Sequence, residues 1–438
     1  MTHKLPTPRL ITLALPLLAF AAMFALLSAI NRESAPTAPS GAAVDSGPAP
    51  QTTQEAIAAL RETIAAGEAD AAVYSQLGNA YYQRSRETGD GTYLDRADRA
   101  FESALATDPK DYDAYAGQAT VALSRHQFAD GLVLARRAHR IAPGVVAPYA
   151  AFVDGLIETG HYAGAERALN RMLTLKPNLA SYSRASYFSE LHGDLEGAAR
   201  ALRLAVSAGS GTVEGTAYIR SLVGDFEAMR GHYGAAAASY REALAVDPEF
   251  GGALRGLALL EAGRGELGTA VAGLREQLGS PPSPDVLVKL GEVEQAAGRG
   301  EAARRHYEQA LAIEEEGLVE GAGIDAGITL NVANHGDSAR AVELGRQAWR
   351  TAPSVSSADA FSWALYRDGQ LQAAARLSDE AMRLGSRNPE FLYHAGMIAR
   401  AAGDLPRARA LLTRLLEQSP RFSPLEAPRA SRTLRSLG

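Results

Sequence analysis

GHYAGAERALNRMLTLKP occupies residues 160–177, and GHYGAAAASYREALAVDP occupies residues 231–248. Each string opens on glycine, histidine and tyrosine and closes on proline, with small and aliphatic residues between. Proline lacks an N–H and clashes with the preceding turn, so each closing proline marks a helix end. Gly160 and Gly231 stand where one helix gives way to the next, a place that calls for a left-handed backbone. The alanines that follow suit a helix start, since alanine has the highest intrinsic helix propensity. Tyr162 and Tyr233 are expected to cover the turn.

The punctuation recurs. Pro109, Pro143 and Pro177 are spaced 34 and 34 residues apart, and Pro248 and Pro282 are again 34 apart. Aligned on them, each unit holds two helices. The first carries an aromatic or leucine early and a small residue four on, as in Tyr74-x-x-Leu77-Gly78-x-x-Tyr81. The second carries small, large and small residues at spacings of four and three, as in Ala97, Phe101 and Ala104. Ten such triplets stay in phase, among them Ala236/Tyr240/Ala243, Ala270/Leu274/Gln277 and Ala408/Leu412/Leu415. One would mean little in alanine-rich helices; ten in register define a repeat.

This pattern resembles the tetratricopeptide repeat family from roughly Thr53 to Pro420. The resemblance implies an all-α solenoid, a right-handed superhelix of helix-turn-helix units whose first helices line a concave groove for a protein or peptide. The last hundred or so residues, from NHGDSARA to RFSPLEAP, are similar to bacterial membrane-anchored repeat proteins of unassigned activity.

Leu10 to Ile30 is 21 residues without a charge, long enough as a helix to span about 30 Å. Lys4 and Arg9 precede it, which places the N-terminus in the cytoplasm and the repeats outside. Ala19-Phe20-Ala21 has the form of a signal-peptide cleavage site, so a secreted chain is the alternative. The organisation expected is a cytoplasmic tail at 1–9, a transmembrane anchor at 10–30 and a flexible Pro/Ala/Ser/Gly linker at 31–52. The repeat array follows at 53–420, with a C-terminal capping segment at 421–438. Thr52 and Glu55 form a capping-box pattern before a lone helix that seals the other end.

Composition narrows the chemistry. The chain has no cysteine, which excludes thiolate catalysis, disulfides and Cys-ligated metals. Its net charge of −6 contains no basic block, so nucleic acid is not an expected partner. No phosphate loop, GxSxG, SxxK or HExxH occurs. Gly209-Ser210-Gly211 and Asp108/Asp111/Asp113 are read as turn and cap residues. No cofactor, metal or catalytic residue is assigned, and the reading is of a non-enzymatic scaffold. A secreted binder of envelope polymer, or an enzyme built from turn residues, are the alternatives.

Carried onto this sequence, the resemblance places the groove at the second, fifth, ninth and twelfth positions of each first helix. Those positions include Asp113, Asp154, Glu190, Asp225, Asp285, Glu292, Asp359 and Glu390, opposed by Arg255 and Arg400. Asp359, Trp363 and Tyr366 fall at i, i+4 and i+7 on one face, and Tyr393 and Met397 repeat the spacing one unit on. The candidate partner site is therefore Trp363, Tyr366, Tyr393, Met397, Asp359 and Glu390, for an apolar or basic segment.

Overall fold

Thr52 accepts a hydrogen bond from the Glu55 N–H while the Glu55 side chain accepts from the Thr52 N–H. That capping box starts α1 (Thr53–Ala65), the first helix of a computed structural model that describes residues 52–279 and 282–438. The expected anchor and most of the linker lie outside the described residues. No helix among the described residues is long and apolar enough to cross a membrane.

Helical hairpins follow α1. The first five are α2 (Ala71–Thr88) with α3 (Thr92–Thr107), α4 (Tyr112–Ser124) with α5 (Phe128–Ile141), α6 (Tyr149–Glu158) with α7 (Tyr162–Leu175), α8 (Leu179–Leu191) with α9 (Leu195–Ala208), and α10 (Val213–Met229) with α11 (Tyr233–Val246). The next five are α12 (Gly251–Arg264) with α13 (Leu267–Glu276), α14 (Pro284–Ala296) with α15 (Gly300–Val319), α16 (Ala326–His335) with α17 (Ser338–Thr351), α18 (Val355–Arg367) with α19 (Leu371–Ala381), and α20 (Pro389–Ala401) with α21 (Leu405–Gln418). A last helix, α22 (Glu426–Ser436), lays Ala427, Ala430 and Thr433 against the end of the array. The described residues contain no strand.

The packing explains the triplets. Every triplet residue is buried except Gln277, which is partly exposed. The large middle residue lies against glycines on two first helices: the Phe101 ring fills the space over Gly78 and Gly117, and Tyr240 that over Gly224 and Gly256. A Cβ at any of these glycines would overlap the ring. Small residues on one helix and a wide one on the other let the layers interlock at interior density. Repeat seven lacks the closing proline, and Glu314-Glu315-Glu316 in its place let α15 run 20 residues.

Buried charge also ties neighbours together. Arg184 on α8 is 1% exposed. Its Nε donates to Asp154 Oδ1 at 2.8 Å and its Nη2 to Oδ2 at 2.5 Å, while Nη1 reaches the Ala180 carbonyl at 3.1 Å. Removing the arginine alone would strand Asp154 as an uncompensated buried carboxylate.

The array coils until it meets itself. Each hairpin turn in repeats two to five touches the segment leaving the repeat five further on. In repeat two, the Gly323 N–H donates to the Arg125 carbonyl at 2.8 Å, and Gln127 donates to the Gly321 carbonyl at 2.9 Å. In repeat three, the Val355 N–H donates to the Tyr162 hydroxyl at 2.8 Å. In repeat five, the Arg421 N–H donates to the Tyr233 hydroxyl at 2.8 Å, and the Gln418 amide to the Met229 carbonyl at 3.1 Å.

Gly160, Gly193 and Gly231 have φ of +74°, +71° and +79°. A Cβ there would fall on the carbonyl oxygens of Pro353, Gly385 and Gln418 respectively. The two GHY strings are thus seam residues, and this corrects the role expected of their tyrosines. Tyr162 and Tyr233 do not cover their own turns; they reach the next coil, with Arg383 and Arg421 over their rings.

Candidate functional site

First helices of repeats two to ten face inward around one chamber of about 470 Å³, a volume typical of ligand pockets. Seam residues close its side: His126, Tyr233, Asp325, Ser354 and Arg421 all line it. Its apolar wall includes Leu222, Leu259, Ile324, Phe391 and Phe422, each with surface open to the interior.

The charged wall is acidic. Glu158, Glu190, Asp225, Asp285, Asp325, Asp359 and Glu390 face Arg255, Lys289 and Arg421. Several of these carboxylates are already engaged. Asp225 Oδ1 accepts from the Tyr240 hydroxyl at 2.7 Å. Asp325 caps α16 through the Ile328 N–H at 2.9 Å and lies 3.0 Å from His126 Nδ1. Asp359 Oδ2 sits 2.8 Å from His394 Nδ1. Lys289 is drawn to Glu292 at 3.0 Å.

Glu158 is different. It is 4% exposed, accepts from the Tyr187 hydroxyl at 3.2 Å, and has no ion-pair partner among the described residues. Burial pushes its pKa up to about 8; the Tyr187 hydrogen bond opposes that, and the charges of Asp154 and Asp325 add to it. Burial likewise lifts Glu190 to about 7, with the Asp225 charge adding, and Asp285 to about 6 despite Arg255 and Lys289. A buried acidic wall raises carboxylate pKa values because burial disfavours every charge and like charges disfavour one another.

Of the groove positions expected from sequence, Glu190, Asp225, Asp285, Asp359, Glu390 and Arg255 line the chamber. Asp154 is instead spent on Arg184. The aromatic cluster needs a larger correction. Trp363 is 3% exposed and Tyr393 is 2% exposed. Trp363 stacks on His394 at 4.2 Å and Tyr366 at 4.8 Å between ring centroids, and its indole N–H donates to Asn334 at 2.9 Å. Both residues are inter-repeat core, because the face that turns toward a groove at one end of a first helix meets the next repeat further along. Tyr366 and Met397 keep partial exposure, Glu390 is exposed, and Asp359 is buried against His394. Burial alone would lower the His394 pKa, but the charge and hydrogen bond of Asp359 outweigh it and hold it above its ordinary value.

Sequence reasoning missed Glu158, Asp325, His126, Lys289 and Arg421. Glu158 is the last residue of α6 and Lys289 the sixth of α14, neither of them a position where the groove was expected. His126, Asp325 and Arg421 enter only because the coil closes, and no local pattern marks that.

The tetratricopeptide repeat family matches residues 229–283 and 360–421. No curated protein matches the chain. Among solved structures, a human IFIT1 dimer with PPP-AAAA is similar at 17% identity and a TM-score of 0.50, over 76% of this chain and 78% of that one. The Cut9–Hcn1 hetero-tetramer of the APC/C is similar at 15% identity, 88% and 84% coverage and a TM-score of 0.38. A tetratricopeptide repeat protein from Parabacteroides merdae is similar at 15% identity, 60% and 94% coverage and a TM-score of 0.41. At these identities the likeness concerns the fold.

Proposed function

We propose that this chain, a tetratricopeptide-repeat protein, is a non-enzymatic scaffold that takes an extended segment of a partner protein into its inner chamber. The observation that carries the reading is the chamber lined by first helices from repeat two to repeat ten. An inner wall built from so many units offers contacts along a chain, which is how a solenoid gains affinity without one dominant pocket. The apolar run at 10–30 supports anchoring in a bacterial cytoplasmic membrane with the repeats on the extracytoplasmic side.

A photo-cross-linking residue in place of Leu222, on the chamber wall, should capture the partner through an extended peptide. The same residue in place of Leu204, 48% exposed on the outer helix α9, should not. Equal capture at both positions would mean that the interior is not the contact site. Protease added to spheroplasts should cut the full-length, membrane-bound chain; a soluble form starting near Ala22 would support secretion instead.

A further inference from the structure

The seam limits what the chamber can hold. Backbone groups of successive coils touch at Gly160, Gly193 and Gly231, so a folded domain has no lateral way in. Whatever occupies about 470 Å³ behind that wall is slender. The wall also specifies chemistry. Leu222, Ile324, Phe391 and Phe422 offer aliphatic and aromatic surface, while the carboxylates outnumber the fixed cations.

Glu158 adds an independent pointer. It is buried, lines the chamber and has no ion-pair partner among the described residues, and the charged groups beside it include Asp154 and Asp325. Burying an ionised carboxylate without a counter-charge is costly, so Glu158 keeps its proton unless a bound cation supplies the charge.

We propose that the chamber recognises a slender polycation, a chain of alkylammonium or guanidinium groups on an aliphatic backbone, with Glu158 and Glu190 as its charge-reading residues. The proposal rests on the interior being the binding site, as argued above, and adds the class of ligand. Methylene segments match the apolar wall, and the cationic groups complete the unpaired carboxylates.

Isothermal titration calorimetry on the full-length chain in neutral detergent tests this with two probes, an octalysine peptide and spermine. An uncharged Gly/Ser octapeptide and octaglutamate serve as comparisons. Binding of octalysine should weaken by roughly tenfold or more in the Glu158→Gln/Glu190→Gln double variant. Glu158→Gln keeps an acceptor for Tyr187, so the fold is retained, and circular dichroism checks that. Glu102→Gln/Glu276→Gln, the same charge change at two exposed sites, should leave affinity unchanged.

If spermine binds with the same dependence, a free amine chain suffices; if only octalysine binds, the source is a polypeptide. Binding by neither probe, or equal binding by parent and chamber variant, overturns the proposal. Binding of the uncharged or acidic peptide, cross-linked at Leu222, would overturn the cation claim and leave the scaffold reading standing.

Discussion

Trp363 stacks on His394, and His394 is held by Asp359, so three side chains from two repeats share one buried contact. Trp363→Ala should therefore destabilise the fold by about 3–5 kcal/mol, the cost of emptying a large aromatic site. Chemical denaturation with partner capture on the folded fraction checks this. Unchanged stability with lost capture would restore Trp363 to a contact role. The residue was visible in the sequence, but its use was not. The i, i+4, i+7 spacing of Asp359, Trp363 and Tyr366 marks a common face, and on a first helix one face serves both the groove and the next repeat. Burial separates the two, and burial depends on a neighbour that spacing alone does not describe. The triplets were legible for the opposite reason. The Phe101 ring of the first triplet packs over residues close in sequence, Gly78 and Gly117, so the constraint is written locally.

At the scale of elements, the hairpin turns divide into two kinds. Gly231 and Gly265 both have positive φ, +79° and +89°, but a Cβ on Gly231 would meet the Gln418 carbonyl while one on Gly265 meets nothing within 4 Å. Gly265→Ala should cost only the left-handed backbone penalty, about 1–2 kcal/mol. Gly231→Ala should cost clearly more, because it also opens the seam. Urea midpoints of the two variants decide it, and equal losses would mean that the coils do not touch there. The helices themselves could be read from proline, glycine and alanine. The seam could not, since it is the sum of small rotations over five repeats. Only the repetition of GHY at 160 and 231 hinted that some turns carry an extra duty.

Across the whole molecule, buried carboxylates set the pH response. Glu158 and Glu314, both 4% exposed, are raised by burial to about 8. Glu190 and Asp285 are raised less, and their partial exposure tempers the effect. A folded-state pKa above the unfolded value means that folding holds a proton the unfolded chain releases. The corresponding stability is complete below about pH 4 and is lost as pH rises through 6 to 8. His394, held above its ordinary value, acts in the same sense. His335, lowered to about 4 by burial, acts in the opposite sense and favours the folded state above its unfolded pKa. His139 is also lowered by burial, but with Glu158 and Glu314 sealed and Glu190, Glu426 and Asp285 raised beside them, the denaturation midpoint should be lower at pH 8.5 than at pH 6. Glu158→Gln should reduce that difference. A midpoint that rises with pH would refute the assignment of these carboxylates as buried and unpaired.

All of this depends on the coil closing on itself, and the absence of cysteine makes that directly measurable. Glu196 in repeat four and Glu417 in repeat ten are exposed and line the same cleft on the outside of the seam. Spin labels on cysteines introduced at these two positions report their separation by pulsed electron paramagnetic resonance. A closed coil predicts one short distance. An open array would hold them about 60 Å apart, six helix-pair interfaces of roughly 10 Å each, and that result would contradict the seam and the chamber behind it.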